Sequence, residues 1–202
     1  MANDQGIAYG AFPITQPDSP PKLLYLRANT ALNIFRGAYV FINNSGQCAQ
    51  GTSTANNNSA IGVAWTFLDT NRAGLPSAMT TLTQGAYLPS ATDAVVGFTY
   101  DPMQLYLMEE QTGGTVLGVN SIGQTVGFTY IATTGNTTTG FANTVIVNTS
   151  VSSGTDSLLQ LLGFYDITNR DSTANASGAA AKHLVRIFRH QLGNGMISLP
   201  QA

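Results

Sequence analysis

The chain has 202 residues, 43% of them hydrophobic and 9% charged, where an ordinary soluble domain carries roughly 25% charge. Its polarity comes from 25 Thr, 16 Asn and 14 Ser, a balance that excludes a disordered chain, which combines low hydrophobicity with high net charge. A net charge of -2 and a pI near 5.5 lack the basic footprint of a nucleic-acid protein, and so few charges repel too weakly to keep copies apart, which points to an assembly component.

The length fits one domain, residues 23–202, preceded by an arm over residues 1–22. The arm holds Pro13, Pro17, Pro20 and Pro21, half of the eight prolines. Proline fixes φ and removes a donor, so an extended segment is expected there in place of a sheet or helix. At about 3.3 Å per residue it would reach up to ~70 Å, enough to cross a neighbouring subunit. The opening MANDQGIAYGAF has no basic region before an apolar run, so no secretory signal is expected.

Short apolar runs punctuated by turn residues follow. Residues 23–26 and 34–42 form the first pair, the second closing at Asn43-Asn44-Ser45-Gly46, a strong turn cluster. Strands are then expected over 61–67, 94–100, 105–108, 125–131, 144–151 and 158–165. Residues 144–151 alternate, with Val145, Val147, Thr149 and Val151 on one face and Thr144, Ile146, Asn148 and Ser150 on the other. Runs of this length and spacing predict an all-β fold, an antiparallel β-sandwich or barrel of jelly-roll type, with at most one short helix. The one ambiguous stretch is 178–192, read as a helical or turn segment near Ala179 and then a strand. The pentapeptide VGFTY occurs at 96–100 and 126–130 and reads as two strands with similar surroundings. Residues 111–155 carry no charged side chain, but their Thr, Asn and Gly do not make a membrane span.

Catalytic chemistry has little to draw on. His183 and His190 are the only histidines, and seven residues apart they fall on opposite faces of a strand, so a shared metal site is not expected. Lys22 and Lys182 are the only lysines and neither follows a glycine-rich loop, so there is no phosphate cradle. Glu109 and Glu110, the only glutamates, point to opposite faces as strand neighbours. Trp65 sits inside an apolar run, which predicts core packing. Cys48 is read as a small residue in a turn-rich segment. No catalytic residue, cofactor or metal is assigned, and the chain is expected not to be an enzyme. Lys182, His183, Arg186, Arg189 and His190 concentrate positive charge. Contact residues are therefore expected among Arg186, Arg189, His190 and the four arm prolines.

The order of segments resembles that of tailed-bacteriophage capsid decoration, or cement, proteins. The matching pieces are Leu26-Arg27, Ile34-Phe35-Arg36-Gly37 with Val40, and Ile61-Gly62-Val63-Ala64. Residues 94–100 then lead into Asp101-Pro102, Leu105-Tyr106-Leu107, Gln111 and Gly118-Val119-Asn120. Late in the chain come Leu159-Gln160-Leu161-Leu162-Gly163-Phe164, then Leu184-Val185-Arg186-Ile187 and the closing His190-Gln191-Leu192. Phe188-Arg189 and the insert at 135–140 depart from the family pattern. The resemblance implies a non-enzymatic virion protein that binds the outside of the major capsid protein lattice as a homo-oligomer. It would be assembled in the host cytoplasm, with no nucleic-acid or membrane partner. A second reading, from a different class, is a tail or adhesin module stacking host-surface carbohydrate on Trp65, Tyr87, Tyr100, Tyr106 and Tyr130.

Overall fold

In the computed structural model, residues 10–14, 21–28, 31–51, 59–68, 87–152, 157–165 and 180–191 are described. Among the described residues thirteen strands form in chain order. They are β1 (Phe12–Pro13), β2 (Leu23–Ala28), β3 (Ile34–Phe35), β4 (Tyr39–Ile42), β5 (Cys48–Gln50), β6 (Gly62–Leu68), β7 (Tyr87–Leu88) and β8 (Ala94–Thr99). After these come β9 (Leu105–Glu109), β10 (Thr125–Gly135), β11 (Ala142–Ser152), β12 (Leu159–Phe164) and β13 (Lys182–Ile187). The fold is all-β, as expected. Among the described residues the helical structure is a single 3-10 turn, Val119–Ser121.

The strands pair antiparallel in a six-stranded sheet ordered β1-β9-β13-β12-β10-β11, a five-stranded sheet ordered β2-β8-β6-β4-β5, and a small β3-β7 ribbon. The six-stranded sheet curls on itself. Its edge strand β11 returns to the end of β9, where Glu110 bridges Ile146 and the Gln111 N–H donates to the Ile146 carbonyl at 2.9 Å. Two large apolar cores result, beside a small cluster of Phe35, Ala38 and Ala142. One gathers Tyr39, Tyr106, Met108, Phe128, Ile146 and Leu159 inside the curl. The other gathers Ile34, Val40, Ile61, Phe67, Val96 and Phe98. The two copies of VGFTY lie on β8 and β10, and each sends its phenylalanine into a different core.

Several expectations are corrected. The arm is not wholly outside the sheet, because Phe12 and Pro13 pair with Leu107 and Tyr106. Proline is tolerated there because β1 is an edge strand, where a missing donor breaks no inner ladder. The run 34–42 is two strands. Gly37 at φ 82 turns the chain between them, and its N–H donates to the Ala64 carbonyl. β5 and β7, too short to show a pattern, were not expected. Cys48 is a buried strand residue, and burial pushes its thiol up to about 12. Residues 182–187 form the expected strand, and Ala180 before it takes a left-handed turn at φ 60. Ala179 lies outside the described residues. Within the odd insert, 135–140, residues 136–139 cap the β10–β11 hairpin, with Asn136 Oδ1 accepting from the Thr138 and Thr139 amides.

Candidate contact surfaces and the buried polar cluster

Alternation fixes what the six-stranded sheet shows to its surroundings. On β9 and β13 the buried set is Tyr106, Met108, His183, Val185 and Ile187, which leaves Leu105, Leu107, Glu109, Lys182, Leu184 and Arg186 facing outward. Register then places Lys182 beside Glu109, Leu184 beside Leu107 and Arg186 beside Leu105. Phe12 adds to the Leu107 row from β1. The result is an apolar stripe bordered by charges, part of which opens into a cleft of about 370 Å³. Phe12, Leu107, Phe141, Glu109 and Lys182 line it.

An aromatic cluster lies next to the stripe. The Phe12 and Trp65 rings meet edge to face at 5.1 Å. The Arg36 guanidinium lies 5.2 Å from the Trp65 centroid and 5.8 Å from that of Phe141. Its Nε also donates to the Trp65 carbonyl at 3.0 Å. A cation held over two rings and partly desolvated is fixed in place, and burial lowers the Arg36 pKa. Trp65 is thus half-buried at the outer side, not a core residue. The reason is a register shift in β6 between Ala64 and Thr66, since a bulge re-aims the side chains beside it.

The inner face of the same sheet holds a polar cluster. Glu110 and His183 are both fully buried, with Oε2 and Nε2 2.9 Å apart. Glu110 Oε1 accepts from the Leu117 N–H and from Asn148 Nδ2, each at 3.0 Å. Asn148 Nδ2 also donates to the carbonyls of Gln111 and Gly113. The Phe164 ring packs 4.7 Å from the imidazole. One carboxylate therefore ties together the end of β9, β13, β11 and the loop that follows β9. Buried groups of this kind need partners, which the Glu110 carboxylate supplies, while His183 Nδ1 and Asn148 Oδ1 have none. The arrangement is a seam closing the curled sheet, and the arrangement of β11 follows from it. On β11 Thr144, Ile146 and Asn148 are buried, and so is Val145 of the other face, while Val147 is half-buried and Thr149 exposed.

The residues singled out from sequence separate. His183 and His190 are 0% and 2% exposed, so the basic cluster is split between interior and surface. His190 sits where the chain bridges Ala60, and Gln191 clamps Ile42 through its side chain on both N–H and C=O. Arg186 lies on the outward face, its Nε donating to Gln160 Oε1 at 2.8 Å. Arg189 is half-buried in the bend after β13. Pro13 is buried in β1 and Pro21 half-buried before β2. Pro17 and Pro20 lie outside the described residues. Of the aromatics read as sugar platforms, Tyr106 is buried with its hydroxyl 2.8 Å from that of Thr99. Tyr87 stacks on Phe35 at 5.1 Å, and the Tyr130 hydroxyl donates to the Gly51 carbonyl. Among the described residues no three His, Cys, Asp or Glu side chains gather as a metal would need.

Sequence reasoning missed the Glu110–His183–Asn148 seam, which holds the loop 111–124 at the start of the uncharged stretch 111–155. That loop exposes Val116, Val119 and Ile122 at 46%, 74% and 41%. Three apolar side chains between glycines in an uncharged stretch were the available signal. No protein-family model matches the chain, and no curated protein matches it.

Proposed function

We propose that this chain is a structural virion protein, a capsid decoration protein that binds the outer surface of the major capsid protein lattice and stabilises the head. The observation that carries the reading is the inversion of its polar chemistry. Glu110, His183 and His190 lie inside, in structural positions, while the 111–124 loop offers apolar and neutral side chains and the outward sheet face an apolar stripe bordered by Glu109, Lys182 and Arg186. The apolar and neutral parts of such a surface form contacts without stripping water from charges. A clamp touching several subunits also gains from multivalency while each contact stays weak. The in-order resemblance of segments over 26–192 to that family supports the same reading. The test is to mix the purified protein with expanded, undecorated heads and measure cosedimentation and the temperature of shell disruption. Binding with a raised disruption temperature is expected, and absence of binding overturns the proposal.

The second reading, a carbohydrate-binding adhesin module, is favoured by Trp65 and Phe12 standing outside the cores. Saturable glycan binding that disappears in Trp65→Ala, together with a position at the tail, would select it over the first.

A further inference from the structure

We infer that Arg36 is the docking point for an acidic side chain, an aspartate or glutamate carboxylate on a partner protein, which its guanidinium takes through the two Nη groups. The inference goes beyond lattice binding and does not depend on it.

The site is built around one dipeptide, Arg36-Gly37. The Arg36 N–H donates to the Gly140 carbonyl at 3.0 Å and the Arg36 carbonyl accepts from the Ala142 N–H at 2.8 Å, a bridge that brings Phe141 alongside. The Gly37 N–H donates to the Ala64 carbonyl at 2.8 Å, which sets the neighbouring Trp65. The Gly37 carbonyl accepts from the Ala11 N–H at 2.9 Å, which sets the neighbouring Phe12. Each of the three rings therefore stands one residue away from a backbone hydrogen bond to this dipeptide. Gly37 and Gly140 supply the left-handed turns, at φ 82 and φ 74. Over the Trp65 and Phe141 rings, with Nε tied to the Trp65 carbonyl, the guanidinium is held in one orientation. A group fixed in advance loses little conformational entropy on binding.

The site lacks an anion. Arg27 shows the alternative in the same chain, where Nε and Nη2 both meet the Asp93 carboxylate. Arg36 is half-buried, and burial lowers its pKa with no carboxylate opposing the shift. Aromatic rings return part of the hydration a cation loses, and a counter-ion would return more. The Nη groups have no acceptor among the described residues and are not sealed inside, which leaves them open to solvent. Two coplanar donors suit a planar anion of single charge, which a carboxylate is and a phosphate dianion is not. Trp65 already carries the guanidinium and meets Phe12 edge to face, so its ring serves to hold the cation and not to stack a sugar.

The experiment titrates the full chain and follows the NMR signal of the Arg36 Nε–H, identified by its loss in Arg36→Lys. The probes are the peptide acetyl-Gly-Glu-Gly-amide, the same peptide with Gln for Glu, sodium glucuronate and inorganic phosphate. The Glu peptide is expected to shift the signal saturably, with a dissociation constant on the order of 10 mM for one charge-assisted pair. The Gln peptide is expected to bind at least about tenfold more weakly. Arg36→Lys keeps the charge but loses the fork, and is expected to bind the Glu peptide about tenfold more weakly, read from the amides of residues 64–66 and 140–142. If melting shows that variant unfolded, the two peptides on wild type decide the matter. An Arg36 signal that ignores the Glu peptide, or answers both peptides equally, overturns the inference. Tighter binding of glucuronate assigns the site to an acidic glycan, and tighter binding of phosphate to anions in general; either result also overturns it.

Discussion

Glu110 shows how much one side chain can decide in a chain with few charges. It is fully buried, accepts from a backbone amide and an asparagine, and faces His183 at 2.9 Å. Removing the Glu110 side chain leaves the buried Leu117 N–H, Asn148 amide and His183 Nε2 without their acceptor, at a cost of about 1–3 kcal/mol for each group left unpaired. Glu110→Ala is therefore expected to lower unfolding free energy by that order in urea titration. Leu117 amide exchange should accelerate with it. A variant as stable as wild type would show that the seam is not structural. Gly62 is decisive for a simpler reason, because a Cβ there would lie 1.5 Å from the Thr99 carbonyl oxygen. Gly62→Ala must push β6 from β8 and is expected to cost about 3 kcal/mol or more, read as a fall in the denaturation midpoint. Neither demand shows in the sequence, since Glu110 looks like any strand-end glutamate and Gly62 like any glycine.

Among the elements, the end of the chain acts as a stitch. Strand β13 passes into a bend, His190 bridges Ala60, and Gln191 takes both backbone groups of Ile42. Burial lowers the His190 pKa, partly offset by the Asp101 carboxylate and a backbone hydrogen bond with Ile61. The folded state thus favours the neutral ring, while the unfolded chain takes up a proton near about 6.5. The stability from this group is present above that pH and falls as pH drops below it. Wild type is expected to lose more thermal stability than His190→Asn between about pH 7 and about pH 5, and equal losses would remove His190 from the account. The strands themselves were legible, since β2, β6, β8, β9, β10, β11, β12 and β13 all fall on runs of β-branched and aromatic residues. The break at Gly37 was not, because it depends on the Ala64 carbonyl waiting for the Gly37 amide from another strand. The re-aimed Trp65 was not legible either, because its bulge exists only in the pairing of β6 with β8.

At the scale of the molecule, scarcity of charge has a measurable consequence. The side chains Val116, Val119 and Ile122 and the Phe12–Leu107 stripe are apolar, whereas interactions between exposed charges are screened within about 10 Å at 0.1 M salt. Self-association is expected to change less than about twofold between low and moderate ionic strength, and a steep salt dependence in sedimentation would locate the contact at charged residues such as Arg186. The sequence by itself determined an all-β chain of short strands, its neutral polar surface and the lack of a recognisable catalytic motif. These follow from composition and from the period of two, which are local properties. Only the tertiary structure decided which face of each strand turns inward, because alternation carries no sign and a shift of one residue exchanges the faces. On β11 the face that turned inward includes Asn148 beside Ile146, and the Asn148 amide meets the Glu110 carboxylate where the sheet closes.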